Sequence, residues 1–227
     1  MADEAAAHRA EWRLAGRQRA LVYGWLATLY AAEVPPTTLN AYFGGAAAPM
    51  LEGLAALGLA AETVRLQAAL MALHAVPDAA LELAADFAQL FLLDARGGAP
   101  PYASAYEDES AAAPLFGAGA ARMEAFLANS GLAIRDSFRE PADHVAIHLA
   151  VMARMVEQNA GAADYHAAAA DEVDFLRKVL LGWVPRFADR CRRARPRFDF
   201  YPALATLMLG FVRADESLLI ELADPGT

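Results

Sequence analysis

The sequence predicts an all-α fold, a single-domain helical bundle of about ten helices. Alanine dominates the chain and β-branched residues are sparse, which favours helix in almost every segment. Leucines and aromatics recur at three- and four-residue spacing between proline and glycine stops, so each segment offers one apolar stripe to a shared core. Neither strand-like alternation of useful length nor a fixed-period repeat is present. The chain has 227 residues, 57% hydrophobic and 21% charged, enough length for one large core and too little polarity for disorder. Residues 1–227 are therefore read as one domain.

The first helix is expected over about 4–32, where Trp12, Leu14, Leu21, Val22, Trp25, Leu26 and Leu29 form the stripe. Arg9, Arg13, Arg17 and Arg19 read as a solvated face of its first half. Pro35 and Pro36 end it, and Thr37 or Thr38 is the expected cap of a short turn through Phe43. Helices over about 46–57, 61–74 and 78–93 follow, punctuated by Gly58 and Pro77. The stretch 94–110 is the longest loop, a recognition loop in this reading, because Gly97, Gly98, Pro100 and Pro101 stop any helix.

A helix over about 118–129 should end at Gly131, a good left-handed terminator. The next is expected to open at Glu140-Pro141-Ala142-Asp143-His144, with Pro141 in the first turn and His148 one turn beyond His144, and to run to about 158. From Asp164 an amphipathic run carries Asp171, Glu172, Asp174, Arg177 and Lys178 on its wet side, until Pro185 interrupts it. The basic segment to Arg197 reads as a solvated helix end. Residues 199–213 and 217–222 are the last two helices expected.

The formal charge of −9 argues against nucleic-acid binding, which needs surplus positive charge, and favours a basic partner. A single cysteine, Cys191, excludes an intramolecular disulfide and a Cys-rich zinc site and fits a reducing compartment. It reads as a small, half-buried helix residue. The amino terminus has no basic region leading into an apolar core, and the uncharged stretch 34–51 is too rich in proline and glycine to span a membrane. A cytoplasmic protein without membrane insertion is expected.

Two segments carry more than packing. Pro100-Pro101-Tyr102-Ala103-Ser104-Ala105-Tyr106-Glu107-Asp108 is a proline-aromatic-serine loop, and Glu140 to His144 places acids and a histidine beside an apolar helix. Together with Phe87-Ala88-Gln89-Leu90-Phe91 they resemble the TorD/DmsD family of redox-enzyme maturation chaperones, whose members carry an E-P-x-D-H signature and an upstream P-P-aromatic-x-S-x-Y loop. Tyr102 departs from that pattern, standing where many relatives have tryptophan.

The resemblance implies a cytoplasmic, non-enzymatic, all-helical chaperone with no cofactor of its own. Its implied partners are the twin-arginine signal peptide and the apo form of a molybdoenzyme catalytic subunit. It also admits weak guanine nucleotide binding and either a monomer or a domain-swapped dimer. The expected peptide site is Tyr102, Ser104, Tyr106, Glu107, Asp108, Glu140, Pro141, Asp143 and His144. The acids would meet the arginine pair, Ser104 and His144 the peptide backbone, and the tyrosines the apolar part, beside Val145, Ile147 and Leu149. The alternative from the residues alone is a helical metalloenzyme or hydrolase using Glu140, His144 and His148, since imidazoles four apart on a helix can share one ion. It lacks the H-E-x-x-H glutamate and the Glu-x-x-His pairs of di-iron bundles.

Overall fold

The computed structural model describes residues 2–93, 97–107 and 117–223, and among them there is no strand. The described residues form eleven α-helices: α1 Ala2–Ala31, α2 Pro36–Phe43, α3 Ala48–Leu54, α4 Ala60–His74, α5 Ala79–Phe87, α6 Ser104–Glu107, α7 Ala118–Asn129, α8 Val145–Asn159, α9 Tyr165–Phe175, α10 Val184–Ala194 and α11 Phe200–Ala223. Wider π-type turns extend α5 over Ala88–Leu93 and α9 over Leu176–Leu181, and the chain kinks at Gly58 between α3 and α4.

The long helices α1, α8 and α11 carry the bundle. Helix α1 spans about 45 Å at 1.5 Å per residue, and lies along α8 so closely that a Cβ on Gly16 would sit 3.2 Å from the Cβ of Ala160. Trp12 locks that crossing by donating its indole N–H to the carbonyl of Asn159 at 2.9 Å. Helix α11 packs against α4, α9 and α10, and almost every residue of its first half is buried. Around it Tyr30, Phe87, Phe91, Phe187 and Tyr201 meet mostly edge to face, at centroid distances of 5.0 to 6.1 Å. That geometry suits the aromatic quadrupole.

Glycine positions confirm several expected stops. Gly58 has φ 89°, so Ala48–His74, which holds an 18-residue window apolar enough to cross a membrane, is broken into two helices. Gly131 has φ 65° and follows the end of α7, as anticipated. Other boundaries move. Helix α2 starts at Pro36 with Pro35 before it and no side-chain cap, so neither threonine caps it. Pro185 lies in the first turn of α10, where its missing N–H costs nothing. Helix α11 runs without a break because Ser217 bonds back to the carbonyl of Arg213 and does not cap a new helix.

The charged faces need a larger correction. Arg19 is only 5% exposed and Glu172 is fully buried, so neither is on a wet face. Arg19 donates to both carboxylate oxygens of Asp215 and to Glu172 Oε2 at 2.5 Å. Tyr23 donates to Asp215 at 2.6 Å, and Asn159 to Glu172 at 2.9 Å. One buried network thus joins α1, α8, α9 and α11. Cys191 is wholly buried instead of half-buried, and burial pushes its thiol well above the usual range.

Candidate functional site

The proline-rich loop and the Glu140–His144 segment are adjacent in the fold. The N–H of Ala103 donates to the carbonyl of Asp143 at 3.0 Å and that of Val145 to the carbonyl of Pro101 at 2.8 Å, which pairs Tyr102 with His144 as a two-residue antiparallel bridge. Helix α6 follows at once, a single turn inside the stretch expected to be irregular.

Helix α8 does not begin at Pro141. His144 is its N-cap, with extended backbone at φ −68° and ψ 138°, and its Nδ1 accepts the N–H of Ala146 at 3.1 Å. Pro141, Ala142 and Asp143 form the turn before it, closed by the His144 N–H on the carbonyl of Pro141. A helix started at Pro141 would carry Asp143 away from the loop. The extended cap lets it reach back, so that Asp143 Oδ2 accepts the N–H of Ser104 at 2.9 Å. Glu140 therefore lies outside the helix, one turn short of where the metal reading needs it. Its Oε2 accepts the Tyr102 hydroxyl at 2.6 Å. With Nδ1 of His144 engaged by backbone, the three groups do not converge, and no metal-holding cluster occurs among the described residues.

Burial sorts the expected residues. Tyr102, Glu140 and Pro141 are half-buried, whereas Ser104, Tyr106, Asp143 and His144 are buried. Val145, Ile147 and Leu149 are core residues too and do not form an open groove. The side chain of Glu107 and all of Asp108 lie outside what the structure describes. Tyr106 stacks against Trp183 at 5.6 Å and meets Phe187 edge-on at 6.2 Å. Trp183 also meets His148 edge-on, at 5.7 Å.

The polar atoms inside this knot are poorly matched. Asp143 Oδ1, Ser104 Oγ, the Tyr106 hydroxyl and both ring nitrogens of His148 are buried without a hydrogen-bond partner. Burial alone lowers His144 to about 4; burial, reinforced by the neighbouring His144, lowers His148 to about 3, so both rings are neutral at neutral pH. Burial raises Tyr102 and Tyr106 well above the usual phenol range, with the Glu140 hydrogen bond adding to the effect on Tyr102. Asp143 has one backbone donor, no exposure and no cation beside it among the described residues. A buried carboxylate in that condition is costly, because neither water nor a counter-charge replaces its lost hydration.

Sequence reasoning missed Trp183 and Arg190, whose guanidinium lies 5.9 Å from the Tyr106 ring centroid. Trp183 reads as one more member of a helix stripe, and Arg190 as one arginine in a basic run. Only their contact with Tyr106 sets them apart.

The match to known proteins covers nearly the whole chain. A family model described as nitrate reductase delta subunit matches residues 53–189. The protein named chaperone protein TorD of Psychrobacter sp. (strain PRwf-1) is 39% identical over 218 residues, covering 94% of this chain and 97% of that relative. Proteins of the same name from Vibrio cholerae and Photobacterium profundum are each 36% identical, covering 93% and 89% of this chain and 96% and 94% of their own lengths.

Proposed function

We propose that this chain, which belongs to the TorD family of redox-enzyme maturation chaperones, holds the twin-arginine leader of a molybdoenzyme at the knot between the proline-rich loop and the start of α8. Membership makes it a chaperone for molybdoenzyme maturation and not an enzyme. We infer further that it acts on the leader at this knot, in the cytoplasm and before export.

The observation that carries this reading is the unused oxygen of Asp143. A guanidinium is the group such an oxygen lacks: it is cationic, planar, and able to donate two parallel hydrogen bonds to one carboxylate. Glu140 is the outer acid, half-exposed and already holding a donor. In this account the first arginine displaces the Tyr102 hydroxyl from Glu140. The loop then lifts from Asp143, and the second arginine takes the place of the Ser104 N–H. Ser104 and His144 are left to bond the extended leader backbone, and Tyr102 and Tyr106 to flank its apolar segment. Glu107 and Asp108, next in the sequence, add negative charge to the loop in this reading. Pro141 keeps the turn in the shape that aims Asp143 at the loop.

Magnitudes permit this. Each hydrogen bond to a charged group contributes about 1.5–3 kcal/mol; the two given up, from Tyr102 to Glu140 and from Ser104 to Asp143, are of that kind too, so the gain comes from the additional bond of each paired guanidinium contact and from its charge. Two or three such bonds with modest apolar burial reach the roughly 8 kcal/mol of micromolar affinity. The test is titration with a synthetic twin-arginine leader and its Lys-Lys counterpart at low and moderate salt. The arginine peptide should bind at least tenfold more tightly, because lysine cannot make the paired bonds. Equal binding of the two peptides contradicts the reading.

A further inference from the structure

We propose that a second cleft, between the recognition loop and α10, binds an acidic peptide segment. Gly97, Gly98 and Tyr106 form one wall and Pro185, Arg186, Asp189, Arg190 and Arg193 the other, enclosing about 640 Å³. The arginines fall at positions i, i+4 and i+7 of one helix, so they line one face over about 10 Å at 1.5 Å per residue.

Among the described residues that line the cleft, the charge balance favours an anion. Asp189 is its one acid among the described residues, and it is already engaged by Arg192 and Arg193, the latter at 2.8 Å. Among the described residues Arg186 donates only to the carbonyl of Gly182, at 3.1 Å. Arg190 is half-buried, and its described partner is the face of Tyr106. Arg190 is half-buried without a carboxylate in a chain of net charge −9, whereas the fully buried Arg19 is paired with Glu172 and Asp215. The surrounding field repels anions in general, so any that enters is held by this local cluster.

Between anions, the geometry favours a peptide bearing several carboxylates. The positive groups are strung along a helix face and do not converge on one point, as a phosphate cradle would require. No aromatic ring is free as a platform for a base, since Tyr106 is engaged by Trp183 and Arg190. A partner with carboxylates spaced along its chain matches both facts, such as an acidic stretch of the client itself. This inference does not rest on the leader site, because the two ligands have opposite charge. They share one residue, Tyr106.

The experiment is fluorescence titration of the full chain with labelled hexaglutamate at 20 to 150 mM salt, with inorganic tripolyphosphate and hexalysine as the other probes. Hexaglutamate should bind at low salt, weaken steadily as salt rises, and lose at least tenfold in affinity in Arg186→Gln/Arg190→Gln. Arg190→Lys should recover part of that loss, and Arg213→Gln, exposed and outside the cleft, should match the wild type. Circular dichroism confirms that each variant is folded. The proposal is overturned by equal hexaglutamate binding in the double variant, or by tripolyphosphate binding where hexaglutamate does not. Unchanged hexaglutamate binding alongside failure of the arginine leader to bind would leave this cleft standing and remove only the leader site.

Discussion

Two buried polar clusters of this bundle differ in one respect. Around Arg19, a guanidinium faces Asp215 and Glu172, with Tyr23 and Asn159 completing the bonds, and only Arg19 Nη1 is left over. Around Asp143, a carboxylate, a serine, a tyrosine and a histidine are buried just as deeply, with five polar atoms unpaired and no cation among the described residues. Polar groups are rarely buried unpaired when folding is their only task. The first cluster is therefore a joint between helices, and the second has the unmet polar groups that the proposed leader site calls for.

The largest expected effect breaks the joint. Arg19→Ala leaves two buried carboxylates without their cation and should cost about 3–5 kcal/mol of stability, read from the urea midpoint. Leader affinity of the molecules that remain folded should be unchanged. Loss of both together would remove the distinction between the clusters.

The next effect separates function from stability. Asp143→Asn keeps an acceptor for Ser104 and removes the uncompensated charge, so stability should change by less than about 1 kcal/mol or rise. A drop of several kcal/mol would make Asp143 a structural joint after all.

His148→Leu should sharpen the contrast further. Its nitrogens bond to nothing, so an apolar side chain of similar bulk should be neutral or stabilising by about 1 kcal/mol. The pH dependence gives the sign. The folded state holds His144 and His148 neutral down to about 4 and about 3, while in the unfolded chain they protonate near 6.5. The unfolded state therefore binds more protons below pH 6.5, and stability falls as pH drops from there toward the folded values. The slope approaches about 1.4 kcal/mol per pH unit for each histidine. Denaturant melts between pH 7 and 5 should show this decline, and His148→Leu should remove about half of it. An unaltered slope would locate the proton uptake elsewhere.

The smallest effect concerns the outer bond. Tyr102→Phe frees Glu140 and spares the leader the cost of displacing a hydroxyl, so affinity should rise about two- to fivefold, less than the full value of about 1.5–3 kcal/mol for a bond to a charged acceptor because water replaces the hydroxyl at half-exposed Glu140. A fall would mean that the hydroxyl itself contacts the leader.

The helical framework was legible because glycine, proline and leucine spacing are local signals: Gly58 and Gly131 stop their helices where expected. The adjacency of the two motifs was legible through resemblance. What was hidden depends on distant partners. Arg19 looks like its neighbours Arg13 and Arg17 until Asp215, nearly two hundred positions away, is brought beside it. Glu172 likewise sits among acids that face water. The start of α8 was misplaced for a similar reason. Pro141 suits a first helical turn, but the backbone bonds from Ala103 and Val145 hold the segment extended until His144. Tertiary pairing outweighed local preference there, and it buried Asp143.

The most direct measurement is a double-mutant cycle between Asp143→Asn in the chaperone and arginine-to-glutamine changes in the leader, each affinity taken at the same salt. If a leader arginine pairs with Asp143, one of the two arginines should show a coupling of about 1.5–3 kcal/mol with that residue. Coupling below about 0.3 kcal/mol at both arginines, within the range of independent sites, would contradict the account.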